Sequence, residues 1–292
     1  MVADGEFTAT VDAILRGAID IHVHAAPDAG SPRRHDIVDL ASAARDLGMG
    51  GFIFKSHEYP TSPVAYVVNR MVPGIEVFGS VTLNESVGGL NPRAVEVAAG
   101  VGARKVWMPT FTADHWSRER YGRPGITVLN ETGKLRPAVL DILDIIQHRS
   151  LVLGTGHLSV EEQDALVGES CRRGIPTVVT HADMWIPIDW QQELARRGAF
   201  IEHAYVVCTY HVGTHTVESL ATAIRAVGAD QCVLSTDLGQ AINPSPPEGF
   251  RTFIAQLLHG GLSEGDLGRM ARDNPRQLLG LASPPDGGAG RG

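Results

Sequence analysis

The sequence predicts a single (β/α)8 barrel, on the basis of two observations. Eight runs rich in β-branched and aromatic residues recur along the chain, and stretches with helical spacing of apolar residues alternate with them. Such alternation indicates a parallel sheet, and eight units in about 250 residues match the size of a closed barrel. An open doubly wound sheet is the alternative, but no GxGxxG motif or P-loop follows the first strand.

Most of the eight runs are bounded by Gly or Pro, as is typical of short buried strands. We place them at residues 18–25, 51–57, 76–84, 103–111, 151–157, 176–182, 199–205 and 231–237. Helices are predicted at residues 7–16, 36–48, 91–102, 136–148, 160–174, 190–198 and 217–228. We therefore assign residues 1–282 to one barrel and the Gly- and Pro-rich residues 283–292 to a flexible tail.

The composition is that of an ordinary globular protein, with 292 residues, 43% hydrophobic and 20% charged. The net charge of -8 argues against a nucleic-acid partner or an anionic membrane surface. The three cysteines have no CxxC spacing, and the chain shows no secretory signal and no apolar run long enough to span a membrane. We therefore expect a cytoplasmic protein with a small-molecule substrate, and homo-oligomer formation stays open.

Two histidines lie one residue apart at the end of the first strand, in the segment IDIHVHAAPD at residues 19–28. Alternate residues of a strand share a face, so the pattern predicts that Asp20, His22 and His24 form a polar face opposite an apolar one. Two imidazoles that converge in an enclosed site are typical of metal ligands. A hydrogen-bonded pair of core histidines is the alternative.

Polar side chains also end other strands: His57 ends the second strand, His157 the fifth, His181 the sixth and Asp237 the eighth. The carboxyl ends of barrel strands meet at one face, where barrel active sites lie. Five histidines and one aspartate at one mouth therefore predict a metal site. Their number exceeds the needs of one ion, which favours two ions.

On the seventh strand, either Glu202 or His203 can face the interior. If His203 faced inward, Glu202 would meet the apolar helix layer, which is costly without a partner. We therefore favour Glu202 as a ligand or bridge and keep His203 as the alternative, since a β-bulge would reverse the faces. Lys55 shares the face of His57, where it either snorkels to the mouth or holds a metal-bound anion.

Further polar residues are candidates for substrate binding at the predicted mouth. Asn84 and Thr110 end the third and fourth strands, and a turn or cap hydrogen bond is the alternative role for each. The basic candidates, all on loops of this face, are Arg33, Arg34, Arg118, Arg120 and Arg123. Guanidinium groups bind phosphates well, and solvated loop charge is their alternative role.

Several of these motifs resemble the amidohydrolase superfamily of metal-dependent barrel enzymes. HVH on strand one, a histidine on strands five and six, and STDLG on strand eight are similar to its motifs, and DNPRQLLGL is similar to its closing helix. The common dinuclear members carry a carbamylated lysine at the end of strand four, where this chain has WMPTF. The chain instead adds His57 on strand two and the Glu202/His203 pair on strand seven.

A closer resemblance extends over nearly the whole chain, in FKSHE, LNESVGGLNP, KVWMPT, GTGHLS, IEHAY and LSTDLGQ. These segments resemble a bacterial group of nonheme diiron monooxygenases that includes a hydroxylase of platensimycin and platencin biosynthesis. The resemblance implies two iron ions, O2 and an electron donor. It also implies hydroxylation of an unactivated C–H bond in a small terpenoid substrate linked to coenzyme A, whose phosphates the arginines would bind.

A metal-dependent hydrolase of an amide, ester or lactone is the alternative function. It needs zinc or manganese with an open position and a base such as Asp237, whereas an oxygenase needs redox-active iron among imidazole and carboxylate ligands. A non-catalytic metal-binding protein is a third class. The missing lysine on strand four and the closer resemblance favour the oxygenase. We therefore predict an oxidoreductase with Lys55 and Asp237 as catalytic residues.

Overall fold

A computed structural model describes residues 4–210 and 212–282, and the tail predicted at 283–292 lies outside them. Eight parallel strands form one sheet in chain order: β1 (Ile19–Val23), β2 (Gly51–Phe54), β3 (Glu76–Thr82), β4 (Ala103–Trp107), β5 (Val152–Gly154), β6 (Thr177–Val179), β7 (Phe200–Ala204) and β8 (Cys232–Ser235). A parallel bridge between Val23 and Leu238 joins β1 to the segment after β8 and closes the sheet. The predicted (β/α)8 barrel is confirmed.

Twelve α-helices lie within the part of the chain that the structure describes. They are α1 (Asp4–Leu15), α2 (Ile37–Asp46), α3 (Ser62–Met71), α4 (Pro92–Gly100), α5 (Asp114–Tyr121), α6 (Pro137–His148), α7 (Val160–Arg172), α8 (Ile188–Arg196), α9 (Val217–Val227), α10 (Pro246–His259), α11 (Glu264–Gly268) and α12 (Asn274–Leu278). The seven predicted helices are confirmed to within a few residues, whereas α3, α5, α10 and α11 were not predicted. None of the helices between residues 4 and 282 is long and apolar enough to cross a membrane.

Local sequence sets where helices begin. The Ser159 hydroxyl accepts a hydrogen bond from the backbone of Glu162, and the Glu162 carboxylate accepts one from the backbone of Ser159, which forms a capping box at α7. The Glu162 carboxylate also accepts hydrogen bonds from Thr127 (2.7 Å) and Val128 (2.8 Å). This buried glutamate therefore ties the loop before α6 to the start of α7.

Apolar side chains fill the interior of the barrel beneath the mouth. Ile19, Ile21, Phe78 and Trp107 pack there in one buried cluster with Leu278 of α12. Larger apolar clusters lie between the strands and the surrounding helices. Polar groups are thereby concentrated at the opposite end of the barrel, where the strands have their carboxyl ends.

A β-bulge in β1 changes which of its side chains face inward. The pairing with β2 shifts register within residues 20–23, and both isoleucines of β1 pack inside the barrel. Asp20 instead accepts hydrogen bonds from the backbone of His22 (3.1 Å) and from the hydroxyl of Thr236 (2.5 Å). The prediction that Asp20 shares a face with His22 and His24 is wrong, because the extra residue of a bulge reverses the alternation.

Left-handed backbone turns bring two later histidines to the mouth. Val178 packs inside the barrel and Val179 packs against the helices, so strict alternation would direct His181 towards the helices as well. His181 still reaches the mouth because its own φ is 31°, and Gly156 makes a similar turn (φ 66°) just before His157. The short strands β5 and β6 therefore end before their histidines, and the turns aim the side chains.

His203 lies on the outer face of β7, away from the barrel mouth, so the alternative prediction of His203 as a ligand is wrong. Its Nδ1 lies 2.9 Å from a carboxylate oxygen of Asp183, and both side chains are buried. Burial alone would lower the pKa of His203, but Asp183 and the neighbouring Cys232 raise it to about 10. The pair anchors the turn that follows His181 against β7.

We predict that His203→Leu lowers the free energy of unfolding by about 3–5 kcal/mol, because Asp183 is left buried without its partner. The raised pKa of His203 makes this contribution fullest below its ordinary pKa near 6.5, and the contribution decreases as the pH rises towards 10. Urea denaturation at pH 6 and pH 9 measures both effects. His259→Leu, at an exposed position, is the control, and an equal effect of the two substitutions would contradict the prediction.

Candidate metal centre

The candidate metal centre is a compact cluster at the mouth of the barrel that consists of His22, His24 and Asp237. Each offers one potential ligand atom, and these atoms all lie within 4.8 Å of one another. An Asp237 carboxylate oxygen lies 3.0 Å from Nε2 of His22 and 3.1 Å from Nε2 of His24. The two imidazoles are buried and the Asp237 side chain is 15% exposed, so the centre opens towards the cavity at the mouth.

Barrel closure fixes the position of Asp237. Its backbone N–H donates to the carbonyl of His22 (2.8 Å), and the N–H of His24 donates to the carbonyl of Leu238 (2.8 Å). Asp237 has a left-handed backbone (φ 51°), which is strained for a residue with a side chain. The same hydrogen bonds that close the sheet thus place the carboxylate beside both imidazoles.

Glu202 faces the interior, as the sequence favoured, and it orients His22. One carboxylate oxygen lies 2.9 Å from Nδ1 of His22 and accepts a hydrogen bond from Ser235 (2.7 Å), and the other accepts one from the backbone of His181 (3.0 Å). Although burial would raise the pKa of Glu202, His22 and Lys105 hold it well below its usual range. An ionised Glu202 accepts from Nδ1, so Nε2 of His22 presents a lone pair to the mouth.

The contact between His22 and Asp237 is suited to a cation. Nε2 of His22 and the oxygen of Asp237 are both lone-pair atoms, and at 3.0 Å they repel unless a positive charge lies against them. Nζ of Lys55, 3.0 Å from this Nε2, supplies one such positive charge, and a metal ion would supply another. Two imidazoles and one carboxylate are a common donor set for zinc and related ions, so the residues fit a metal.

Three further imidazoles surround this centre. The His57 ring stacks on His24 with centroids 4.9 Å apart, and the His157 and His181 centroids are also 4.9 Å apart. Burial lowers the pKa of His57 and His157 well below the usual range and that of His181 to about 4, which keeps the rings neutral. Among the described residues no second set of three donors is as compact as the first. The geometry therefore supports a metal site but not the predicted pair of iron ions.

Asn84 and Thr110 are buried behind His57 and do not line the cavity, so they are not placed to bind substrate. The Asn84 amide nitrogen donates to the Thr110 hydroxyl (2.8 Å) and to the carbonyl of His57 (3.0 Å). The Thr110 hydroxyl in turn lies 2.8 Å from Nδ1 of His57. These two residues fix the orientation of the His57 ring.

Aromatic side chains that the sequence analysis did not single out line the mouth. Phe111 stacks on His57 with centroids 3.8 Å apart, and Trp116 lies 4.9 Å from His157. The indole N–H of Trp185 donates to Nδ1 of His181 (3.2 Å), which places the proton of neutral His181 on Nε2. The signal was available, because all three aromatic residues follow β4 or β6 on the loops of the active face.

Lys55 is fully buried and reaches the centre from β2. Burial lowers its pKa to about 8, although Asp237 and Glu202 act in the opposite direction. Its Nζ also lies 5.1 Å from the centroid of the Trp107 ring. This lysine therefore places a positive charge at the floor of the mouth.

The mouth contains a cavity of about 680 Å³, and the predicted basic residues differ in their relation to it. Arg33, Arg120 and Arg123 line the cavity together with His24, His57, His157 and His181. Arg34 instead donates to the carbonyl of Ala241, and exposed Arg118 pairs with Asp114. Arg34 and Arg118 thus have partners outside the cavity, and their predicted role in substrate binding stays a prediction.

The sequence matches a family described as "Family of unknown function (DUF6282)" over residues 17–202. No curated protein matches the chain.

Solved structures share the barrel at low sequence identity. An amidohydrolase from Pseudomonas aeruginosa is 13% identical with a TM-score of 0.66, and the match covers 93% of this chain and 98% of that one. The probable dipeptidase PvdM from the same organism is 11% identical (TM-score 0.67, 95% and 98% coverage). A protein from Pseudomonas putida, named provisionally as a 2-pyrone-4,6-dicarboxylic acid hydrolase, is 16% identical (TM-score 0.62, 92% and 99% coverage).

The prediction of an oxidoreductase is wrong. Several of the similar structures carry the names of hydrolases, and a 2,6-dihydroxybenzoate decarboxylase (TM-score 0.54) is also among the similar structures. The resemblance to the amidohydrolase superfamily is supported at the level of the barrel, but the resemblance to diiron monooxygenases is not. O2, an electron donor and coenzyme A have no support in these comparisons. The reason for the error is that both enzyme classes use imidazole and carboxylate ligands on the same barrel.

We predict that Glu202→Gln weakens zinc binding by about 10- to 100-fold, because an amide does not hold the Nδ1 proton of His22 as an ionised carboxylate does. Competition with a chromophoric zinc chelator measures the affinity. Glu264→Gln, in the first turn of α11 and exposed, is the matched control. Unchanged zinc affinity in Glu202→Gln, or an equal loss in the control, would show that Glu202 does not orient a metal ligand.

Proposed function

The chain belongs to the family of unknown function DUF6282, and we propose that it is a metal-dependent hydrolase of an amide, ester or lactone bond. The observation that supports this proposal most is the convergence of His22, His24 and Asp237 at the carboxyl ends of the strands. Enzymes built on this barrel have their active sites at that face. The neighbouring cavity has a volume in the range of small-molecule sites.

In this proposal, His22, His24 and Asp237 hold zinc or manganese. The ion would polarise the carbonyl oxygen of the substrate and acidify the attacking water. Glu202 orients the His22 ring through Nδ1, and Asn84 and Thr110 orient the neighbouring His57 ring.

Proton transfer and charge stabilisation then fall to residues already at the mouth. The Asp237 carboxylate, which is 15% exposed towards the cavity, would accept a proton from the attacking water. Protonated Lys55 donates a hydrogen bond to the oxygen that gains negative charge. Neutral His181 would donate a hydrogen bond from Nε2 to the leaving group, because Trp185 occupies its Nδ1, and Asp237 would give that group the proton taken from water.

An aromatic wall, formed by Phe111, Trp116 and Trp185, borders these groups. Phe111, Trp116 and Trp185 form a continuous set of ring contacts with centroids 5.7 Å apart between successive members. Phe111 stacks on His57, and Trp116 and Trp185 lie beside His157 and His181. A site that excludes water strengthens each hydrogen bond to developing charge.

A screen for hydrolysis tests the proposal. Zinc- or manganese-loaded protein should hydrolyse at least one member of a panel of N-acyl amino acids, aryl esters and lactones, and removal of O2 should leave the rate unchanged. Asp237→Ala should lose both stoichiometric metal and activity, whereas Asp189→Ala, exposed on α8, should keep both. Full activity in Asp237→Ala, or activity that requires O2, would contradict the proposal.

We predict that Lys55→Met lowers kcat by about 10²- to 10³-fold while bound metal stays stoichiometric, because the variant loses a donor to the developing oxyanion. Lys134→Met, at an exposed position, should change neither quantity. Steady-state kinetics with metal analysis of the same samples measures both. A kcat equal to that of the unmodified protein would remove Lys55 from the mechanism.

A further inference from the structure

Arg33, whose side chain contacts His24 of the candidate metal centre, is held in place by hydrogen bonds to Asp28. Arg33 donates to one carboxylate oxygen of Asp28 through both Nε (2.9 Å) and Nη2 (2.7 Å), and each side chain is 3% exposed. The other carboxylate oxygen accepts hydrogen bonds from the backbone of Gly30 and Ser31 (2.9 Å each). The backbone of Arg33 also pairs with that of Gln240 in the loop after β8.

This arrangement leaves one end of the guanidinium free for a ligand. Asp28 accepts hydrogen bonds from Nε and Nη2 of Arg33. Within residues 4–210 and 212–282, Nη1 of Arg33 has no hydrogen-bond partner. Arg33 lines the cavity, and its Nη2 lies 3.4 Å from Nδ1 of His24. A group bound at this guanidinium would therefore lie one imidazole ring away from the candidate metal centre.

Cations outnumber carboxylates among the side chains that line the cavity, although the chain as a whole is acidic. The net charge of the chain is -8. The charged side chains that line the cavity are four cations and two carboxylates: Arg33, Lys55, Arg120 and Arg123 against Glu58 and Asp237. Asp28 balances the charge of Arg33, so Lys55, Arg120 and Arg123 are the cations of this cavity that attract an anion to it. A metal ion bound by Asp237 would strengthen this attraction.

We infer that Arg33 is a specificity-determining residue that binds a carboxylate group of the substrate close to the bond that is hydrolysed. The inference rests on the proposed function and deepens it. The planar guanidinium suits the planar carboxylate, and its clamp by Asp28 reduces the entropy lost on binding. Because Arg33 contacts His24, the carboxylate and the scissile bond of the substrate are separated by only a few bonds. Arg120 and Arg123, both exposed, attract the anion to the mouth.

Calorimetric binding of benzoate and of benzamide to the zinc-loaded full chain tests the inference. Benzoate should bind and benzamide should bind much more weakly. Arg33→Met should weaken benzoate binding by about 10- to 100-fold with zinc content unchanged, because a hydrogen-bonded charge pair is lost. Arg34→Met, the adjacent arginine engaged outside the cavity, should bind benzoate as the unmodified protein does.

A second variant separates a loss of binding from a loss of folding, because Arg33→Met leaves buried Asp28 without its partner. Asp28→Asn/Arg33→Met removes both charges and should show the same loss of benzoate binding. Undiminished binding in the variants, equal binding of benzamide, or no benzoate binding to the unmodified protein would overturn the inference. Tighter binding of inorganic phosphate than of benzoate would overturn the carboxylate assignment. This test measures binding and not turnover, so its result does not depend on the outcome of the hydrolysis screen.

Discussion

Closure of the barrel between β1 and the segment after β8 is the constraint on which the candidate centre depends. Two backbone hydrogen bonds, from Asp237 to His22 and from His24 to Leu238, complete the ring of strands. They also bring residues more than two hundred positions apart in the sequence to within 3.1 Å of each other. The energy that closes the sheet thus offsets the strain of the left-handed backbone at Asp237.

Burial of so many polar groups at the mouth requires that each be compensated. Glu202 is fully buried, but His22, Ser235 and the backbone of His181 surround its carboxylate with donors. Lys55 is fully buried, but it lies between His22, Asp237 and the face of Trp107. Such a network is stable only as a whole, because loss of one partner leaves the others desolvated and unpaired. The same network keeps the imidazoles neutral and oriented, which is the state that metal binding needs.

The sequence was sufficient to predict the barrel, because the repeat of strand and helix is local and eight-fold. It was also sufficient to predict that His22, His24 and Asp237 lie together at the mouth, because residues at equivalent strand ends converge at one face of a barrel. The inward position of Glu202 followed from the cost of facing a carboxylate towards apolar helices.

Other features depend on geometry that the alternation of side chains does not encode. The bulge in β1 turns Asp20 away from the mouth. The left-handed backbone of His181 directs its side chain into the mouth, although strict alternation along β6 would direct it towards the helices. Asn84 and Thr110 end strands as predicted, but a mutual hydrogen bond holds them behind His57. The paths of the loops determine which arginines reach the cavity, and the pattern of the sequence does not predict these paths. The choice between oxygenase and hydrolase was not accessible either, since both use the same ligand types.

The central claim is that His22, His24 and Asp237 form a metal site. Anomalous diffraction at the zinc absorption edge, from crystals of zinc-loaded protein, tests it most directly. The account predicts an anomalous peak bounded by the two Nε2 atoms and the Asp237 carboxylate, at about 2.0–2.2 Å from each. A fully loaded protein whose only peaks lie at exposed histidines such as His148 or His259, with no peak at this centre, would contradict it.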